Sequence, residues 1–410
     1  MAARFGDVLN LWAGLWLVPK HAAGDLGSIK PLEAIAGLVG VPISIMVFPC
    51  VKALNKHMLL GEAGKAKALM RDMFLFCAAV LALTVAAATI ALPWILQRWN
   101  IENGRLALAI IISAALGALL PVFTGVIQAM KKFNVYSVAV LVGPPLRFVT
   151  LLLLLPFRGL TGYFTGQSVQ NLVGVGASVW IFFRDFGRKV RAESYWRDDR
   201  AIFAACLLPL TLSALAGSFR GTAEATMLKW IPETQSAAFY ILTRFTDIVA
   251  YTIVPLTFVL LPVFSERHET GTDSGRTLLR GMFFCVAVGT ALGAVFTLFG
   301  PQLLGLSEYW SPYTEYSNLF WLLSFTSGLR FAFTCFSLRE LAALRFKYIW
   351  FGLPVNFAGG LAIWALGRSQ YFGAHIGLRE VLYIQLVLPV IFFIYAVTVL
   401  ILRKKRDGKF

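Results

Sequence analysis

Charge is what this chain is short of. Only 14% of its residues are Asp, Glu, Lys or Arg, against roughly 25% in an ordinary globular domain, while 58% are hydrophobic. That balance excludes a water-facing surface over most of the molecule. Acids are scarcer still, 21 against 37 bases, for a net charge of +16. Cysteine is sparse: Cys50, Cys77, Cys206, Cys285 and Cys335 lie in or beside apolar stretches with no CxxC spacing, which argues against a disulfide framework or a zinc site. The four histidines, His21, His57, His268 and His375, are scattered over separate connections and read as solvated loop residues, so no metal centre is expected. No outer connection is long enough to form a domain and none gathers paired acids, so an enzyme such as a membrane glycosyltransferase or polymerase is not expected.

Long apolar runs are abundant instead. A helix needs roughly 20 mostly apolar residues to cross a bilayer, and uncharged runs cover 73–97, 106–130, 159–183, 201–219, 281–307, 348–367 and 381–402. Others hold one or two charges: 34–51 with an N-terminal extension, 133–157 with Arg147, 236–265 with Arg244 and Asp247, and 316–338 with Arg330. With a short piece at 5–19 these make an all-α, polytopic chain of about twelve spans whose first is short. The bases are not distributed as in a nucleic-acid binder. Of the 37, 25 fall in the tails and even-numbered connections, among them Lys131, Arg188, Lys189 and Lys409. The positive-inside rule then places both termini in the cytoplasm, as an even number of spans also requires.

The chain repeats itself. Pro42 and Pro49 recur as Pro255 and Pro262 at an offset of 213, and Leu69–Phe74 answers to Leu278–Phe283 at 209. Lys132-Phe133 matches Arg345-Phe346, and Gly143, Pro145 and Phe148 match Gly352, Pro354 and Phe357. We read a parallel duplication: six spans at 1–183, a basic linker at 184–200, and six spans plus a basic tail at 201–410. The long span opening the second half has a counterpart for its second part only. The paired prolines remove backbone donors from spans 2 and 8, which makes Pro42, Pro49, Pro255 and Pro262 candidate hinges or plain bends.

Several segments resemble a known group. GVIQAMKKFNVYSVAVLVGPPLRF, GSFRGTAEATMLKWIP, the span 8 segment ending in LLPVFSE, and SGLRFAFTCFSLRELAALRFKYIWFGLPVNF are similar to stretches of bacterial O-antigen and enterobacterial-common-antigen-type lipid-linked oligosaccharide flippases. Those belong to the multidrug, oligosaccharidyl-lipid and polysaccharide exporter superfamily. The resemblance implies two six-helix bundles around an alternately opening cavity and an undecaprenyl-pyrophosphate-linked oligosaccharide as cargo. It further implies a bacterial inner-membrane location, H+ or Na+ coupling in place of a bound cofactor, and polysaccharide polymerase and chain-length proteins as partners beside membrane lipid. A peptidoglycan lipid II flippase and a cation-coupled drug exporter of the same superfamily are the alternatives.

Ionisable residues inside spans are functional candidates because their burial is costly, and guanidinium forks match phosphate oxygens. Arg147 and Arg330 have no acid at helical spacing; their repeat counterparts are Asn356 and Gly117. Arg220 and Arg244 have one, Glu224 four residues on and Asp247 three residues on. Lys30 and Glu33 mirror Arg244 and Asp247 at an offset of 214. The four arginines are therefore candidate headgroup ligands, and Lys30, Glu33, Glu224 and Asp247 candidate gate or coupling residues. Thr161, Thr165, Gln167, Ser168, Gln170 and Asn171 make span 6 unusually polar, suited either to a sugar path or to interhelical bonds.

Overall fold

The computed structural model describes residues 2–98, 104–130, 132–186, 190–269, 272, 274–369 and 376–406, and among them there is helix and no strand. Lys131, Arg188, Lys189, His375 and Lys409 lie outside the described residues. The first span is built from α1 (Ala2–Trp12), a π-helical turn (Ala13–Leu17) and α2 (Val18–His21). There follow α3 (Leu26–Leu59), α4 (Ala63–Arg98), α5 (Gly104–Ala129), α6 (Phe133–Arg158) and α7 (Leu160–Phe186). The second half comprises α8 (Trp196–Trp230), α9 (Glu233–Glu269), α10 (Gly275–Leu298), the short α11 (Gly300–Gly305), a 3-10 segment (Ser311–Leu319) leading into α12 (Phe320–Ala342), α13 (Lys347–Ser369) and α14 (Leu378–Arg406).

Ten of these helices are long and apolar enough to cross a membrane, and the chain is a multi-pass membrane protein. The remaining two crossings of the sequence reading are the 2–21 segment and α7. At about 1.5 Å per residue α7 is roughly 40 Å long, so its amides and hydroxyls, not its length, set it apart. Large apolar side chains point outward along the spans, Leu83, Ile90, Phe157 and Phe283 each more than 70% exposed. In lipid this is the favourable arrangement, since the bilayer is as apolar as a protein core.

The chain divides into two compact units, 1–25 with 29–218 and 26–28 with 219–410. The division falls within α8, between Ser218 and Phe219, beyond the 184–200 segment. In unit 1 the core joins Leu54, Met70, Val122, Ile127, Phe186 and Phe203, so the opening turns of α8 pack with α3, α4, α5 and α7. These turns are the part of span 7 that has no repeat counterpart. In unit 2, α10 and α12 approach until backbones touch: a Cβ added at Gly289 would lie 2.7 Å from the Ser324 carbonyl oxygen and 2.8 Å from Gly328 Cα. Small residues allow this because dispersion and close backbone approach drive helix association in membranes. Helices α3 and α9 run unbroken through Pro42, Pro49, Pro255 and Pro262, the Pro262 side chain lying outside the described positions.

Candidate functional site

Each unit ties its first span to its fifth through an arginine and an asparagine. In unit 1, Arg147 of α6 donates from Nη1 to Asn10 Oδ1 of α1 at 3.1 Å. In unit 2, Arg220 of α8 donates from Nη1 to Asn356 Oδ1 of α13, also at 3.1 Å. Asn10 and Arg220 are 210 residues apart and Arg147 and Asn356 209 apart. The same bond thus occupies the same place in the duplication with its two residues exchanged. An aromatic pair accompanies it in both units: Trp12 stacks with Phe148 at 5.3 Å between centroids, and Phe219 with Phe357 at 5.4 Å.

The surroundings of the two arginines differ. Arg147 also reaches Gln170 Oε1 at 3.5 Å, and its guanidinium lies 5.4 Å from the Tyr163 ring centroid. Among the described residues its partners are all neutral, and its buried Nε has no acceptor. In unit 2 two guanidiniums surround one carboxylate. Glu224 Oε1 lies 3.4 Å from Arg220 Nε and 3.8 Å from Arg330 Nη2. The expectation that Arg330 stands without an acid is therefore corrected: helical spacing along α12 could not reveal a carboxylate supplied by α8. Both contacts are charge proximity rather than hydrogen bonds, and Arg220 Nε and Glu224 Oε1 are each buried without a hydrogen-bond partner. Two cations against one anion leave one positive charge in excess. The Arg330 side chain is 42% exposed, and a mid-span cation needs a polar surface at its face rather than hydrocarbon.

The two mirrored couples form as ion pairs, Lys30 with Glu33 at 3.2 Å and Arg244 with Asp247 at 3.1 Å. Each has an aromatic neighbour. Tyr163 Oη donates to Glu33 Oε1 at 2.6 Å, and the Arg244 guanidinium lies 4.8 Å from the Tyr240 ring centroid.

Unit 1 also holds a cavity of about 460 Å³ among α3, α5 and α7, lined by Glu33, Ser44, Ser113, Phe164, Gln167 and Asn171 together with glycines and alanines. On α7, Thr165 and Ser168 bond back to their own helix, at Thr161 O and Phe164 O. Asn171 donates across to Ser113 O at 3.4 Å, and Gln167 Oε1 is buried with no partner. The polar residues of span 6 thus divide between packing and cavity lining.

His57 is not a solvated loop residue. It lies in the last turns of α3, fully buried, with Nδ1 2.7 Å from Glu62 Oε2 and Nε2 2.6 Å from Asp199 Oδ2. Lys56 meets Asp199 at 2.9 Å, and Lys65 bridges Glu62 at 2.9 Å and Asp198 at 2.7 Å. The hydrogen bond from Lys65 first, then that from His57, holds the Glu62 carboxyl below the usual carboxylate range. This network anchors the start of α8 to the ends of α3 and α4.

No protein-family model matches the chain, and no curated protein does. Solved structures do. An inward-facing multidrug resistance MATE family transporter of the MOP superfamily aligns with a TM-score of 0.70 at 16% identity, over 98% of this chain and 96% of that one. A substituted Vibrio cholerae MATE transporter gives 0.68 at 16% identity, over 99% and 95%. A Pyrococcus furiosus MOP superfamily transporter, described as having a binding pocket of reverse polarity that suggests a different function, gives 0.66 at 15% identity, over 98% and 93%. The fold of this chain is the fold of those MATE-type structures over nearly its whole length.

Proposed function

We propose that this chain is a non-enzymatic membrane carrier that moves an anionic, lipid-anchored cargo across the bilayer by alternating access, the cargo being a pyrophosphate-linked oligosaccharide. The observation that carries the reading is the Arg220–Glu224–Arg330 cluster, where one carboxylate faces two guanidiniums. Arg147, bonded only to neutral groups among the described residues, adds a second cation. Pyrophosphate is the complementary charge, and guanidinium forks bind its oxygens more strongly than neutral donors do. That a MOP superfamily transporter of this fold is described as having a pocket of reversed polarity supports the idea that the fold admits cargo of either sign. The cargo reading carries with it a bacterial inner-membrane location and work alongside glycan-polymerising proteins.

A cation-coupled drug exporter is the second reading, favoured by the MATE structures and by Glu33 at the unit 1 cavity. Under it Glu33, and not the arginines, governs transport. Reconstituting the chain in liposomes that carry a fluorescent undecaprenyl-pyrophosphate oligosaccharide in one leaflet separates the two. We expect protein-dependent flipping that Arg220→Ala and Arg330→Ala abolish. No flipping by the wild-type chain, or full flipping by both variants, would end the proposal.

A further inference from the structure

The unit 1 cavity has chemistry of its own, opposite in kind to the cationic cluster of unit 2. Where unit 2 places Arg330, the repeat places Gly117 in unit 1, and Gly117 lines the cavity. The missing side chain helps open the space. A Cβ added at Gly37, also on the wall, would meet nothing within 4 Å. The volume, about 460 Å³, falls inside the range of roughly 300–1,000 Å³ typical of small-molecule sites.

No Lys or Arg is among the described lining residues, which disfavours an anion. A cation is disfavoured as well, because the one lining carboxylate, Glu33, is already engaged by Lys30 at 3.2 Å and by the Tyr163 hydroxyl at 2.6 Å. What remains is neutral and hydrogen-bonding. Ser113 and Asn171 offer hydroxyl and amide groups that both donate and accept, and Ser44, whose hydroxyl proton goes to Val41 O at 2.7 Å, offers an acceptor. Gln167 Oε1, buried without a partner, costs free energy as it stands and is poised to accept from a ligand hydroxyl. Phe164 and the glycine floor supply apolar surface. Alternating hydroxyl and C–H surface is the pattern of a sugar ring.

We infer that the α3–α5–α7 cavity is a subsite for an uncharged, polyhydroxylated group, a sugar unit of the cargo. The assignment rests on the reading above that the cargo is glycosylated.

The test uses the full chain in a detergent without a sugar headgroup, with N-acetylglucosamine, galactose and glucose as probes and saturation-transfer NMR as readout. At least one sugar should give a saturable signal that Gln167→Leu weakens about tenfold, the size of one net hydrogen bond. Gly117→Leu should remove it, a thermal melt confirming that each variant is folded. If no sugar binds the wild-type chain, or if Gln167→Leu leaves binding unchanged, the subsite is overturned. It is also overturned if tetraphenylphosphonium or Na+ occupies the cavity in a manner lost in Glu33→Gln. Inorganic pyrophosphate, titrated in parallel against wild type and Arg330→Ala, separates the two proposals. Pyrophosphate binding without sugar binding removes the subsite alone, and sugar binding without pyrophosphate binding removes the anionic-cargo reading alone.

Discussion

The two units share a skeleton and differ in charge. Both bridge their first and fifth spans with an Arg–Asn bond of 3.1 Å beside an aromatic stack, and both carry a basic–acidic couple three residues apart. Unit 1 surrounds its arginine with an asparagine, a glutamine and a tyrosine ring. Unit 2 adds Arg330 and Glu224 where unit 1 has Gly117 and its cavity. A duplication can therefore keep the same interhelical bonds while one copy gathers two guanidiniums around one carboxylate and the other encloses a cavity with no Lys or Arg among its described lining residues. The exchange of Arg and Asn between copies keeps the bond while changing the residue at each position.

The strongest way to break this comparison is to remove the charge from one side at a time. The double variant Arg220→Ala/Arg330→Ala should lower transport of a pyrophosphate lipid by more than about 100-fold, since each charged hydrogen bond contributes roughly 1.5–3 kcal/mol. Arg147→Ala in unit 1 should cost about tenfold. Equal losses in initial flipping rate, corrected for protein amount, would mean that the units are not differentiated.

Next in size is packing. Gly289→Val in unit 2 should destabilise the chain by about 1–3 kcal/mol through overpacking, because its new Cβ meets the Ser324 carbonyl oxygen at 2.7 Å. Gly37→Ala in unit 1, where nothing lies within 4 Å, should be neutral or stabilising by up to about 1 kcal/mol. Denaturant or thermal unfolding in micelles reads both.

The exchanged bridge gives a sharper test. Asn10→Arg with Arg147→Asn rebuilds in unit 1 the arrangement of unit 2, and should recover most of the roughly 1.5 kcal/mol that Arg147→Asn alone loses. An additive double variant would show that the bridge is incidental.

The smallest effect concerns the His57 network, which unit 1 alone possesses among the described residues. Glu62 is held below the ordinary carboxylate range. Its contribution is therefore complete above the ordinary carboxylate value and fades as pH falls through the lowered one. Protease cutting of the 190–195 segment should stay slow at neutral pH and rise only in strong acid. Glu62→Gln should raise cutting modestly at neutral pH, converge with wild type in strong acid and so flatten that dependence.

Much of this architecture was legible in the sequence because its signals are local. Ten of the expected spans appear as long apolar helices, and the three- and four-residue charge spacings appear as ion pairs. The reading missed what depends on register between helices far apart in the chain. Asn10 lies 137 residues from the arginine it binds, Glu224 comes to Arg330 from another helix, and His57 is buried by the start of α8, 142 residues on. No periodicity along one helix encodes such meetings. One signal was available: aligning the halves sets Asn10 opposite Arg220 just as Arg147 stands opposite Asn356, and that reciprocal exchange points to the pair.

The central claim is that the positive excess in unit 2 exists to hold an anion, and Glu224→Gln tests it most directly. Removing the one carboxylate from between two guanidiniums should tighten the binding of farnesyl pyrophosphate to the purified chain and steepen its salt dependence, while Arg330→Ala should weaken both. If Glu224→Gln leaves the affinity unchanged or lowers it in a protein that melts as wild type, the cluster is a structural ion pair and the claim is contradicted.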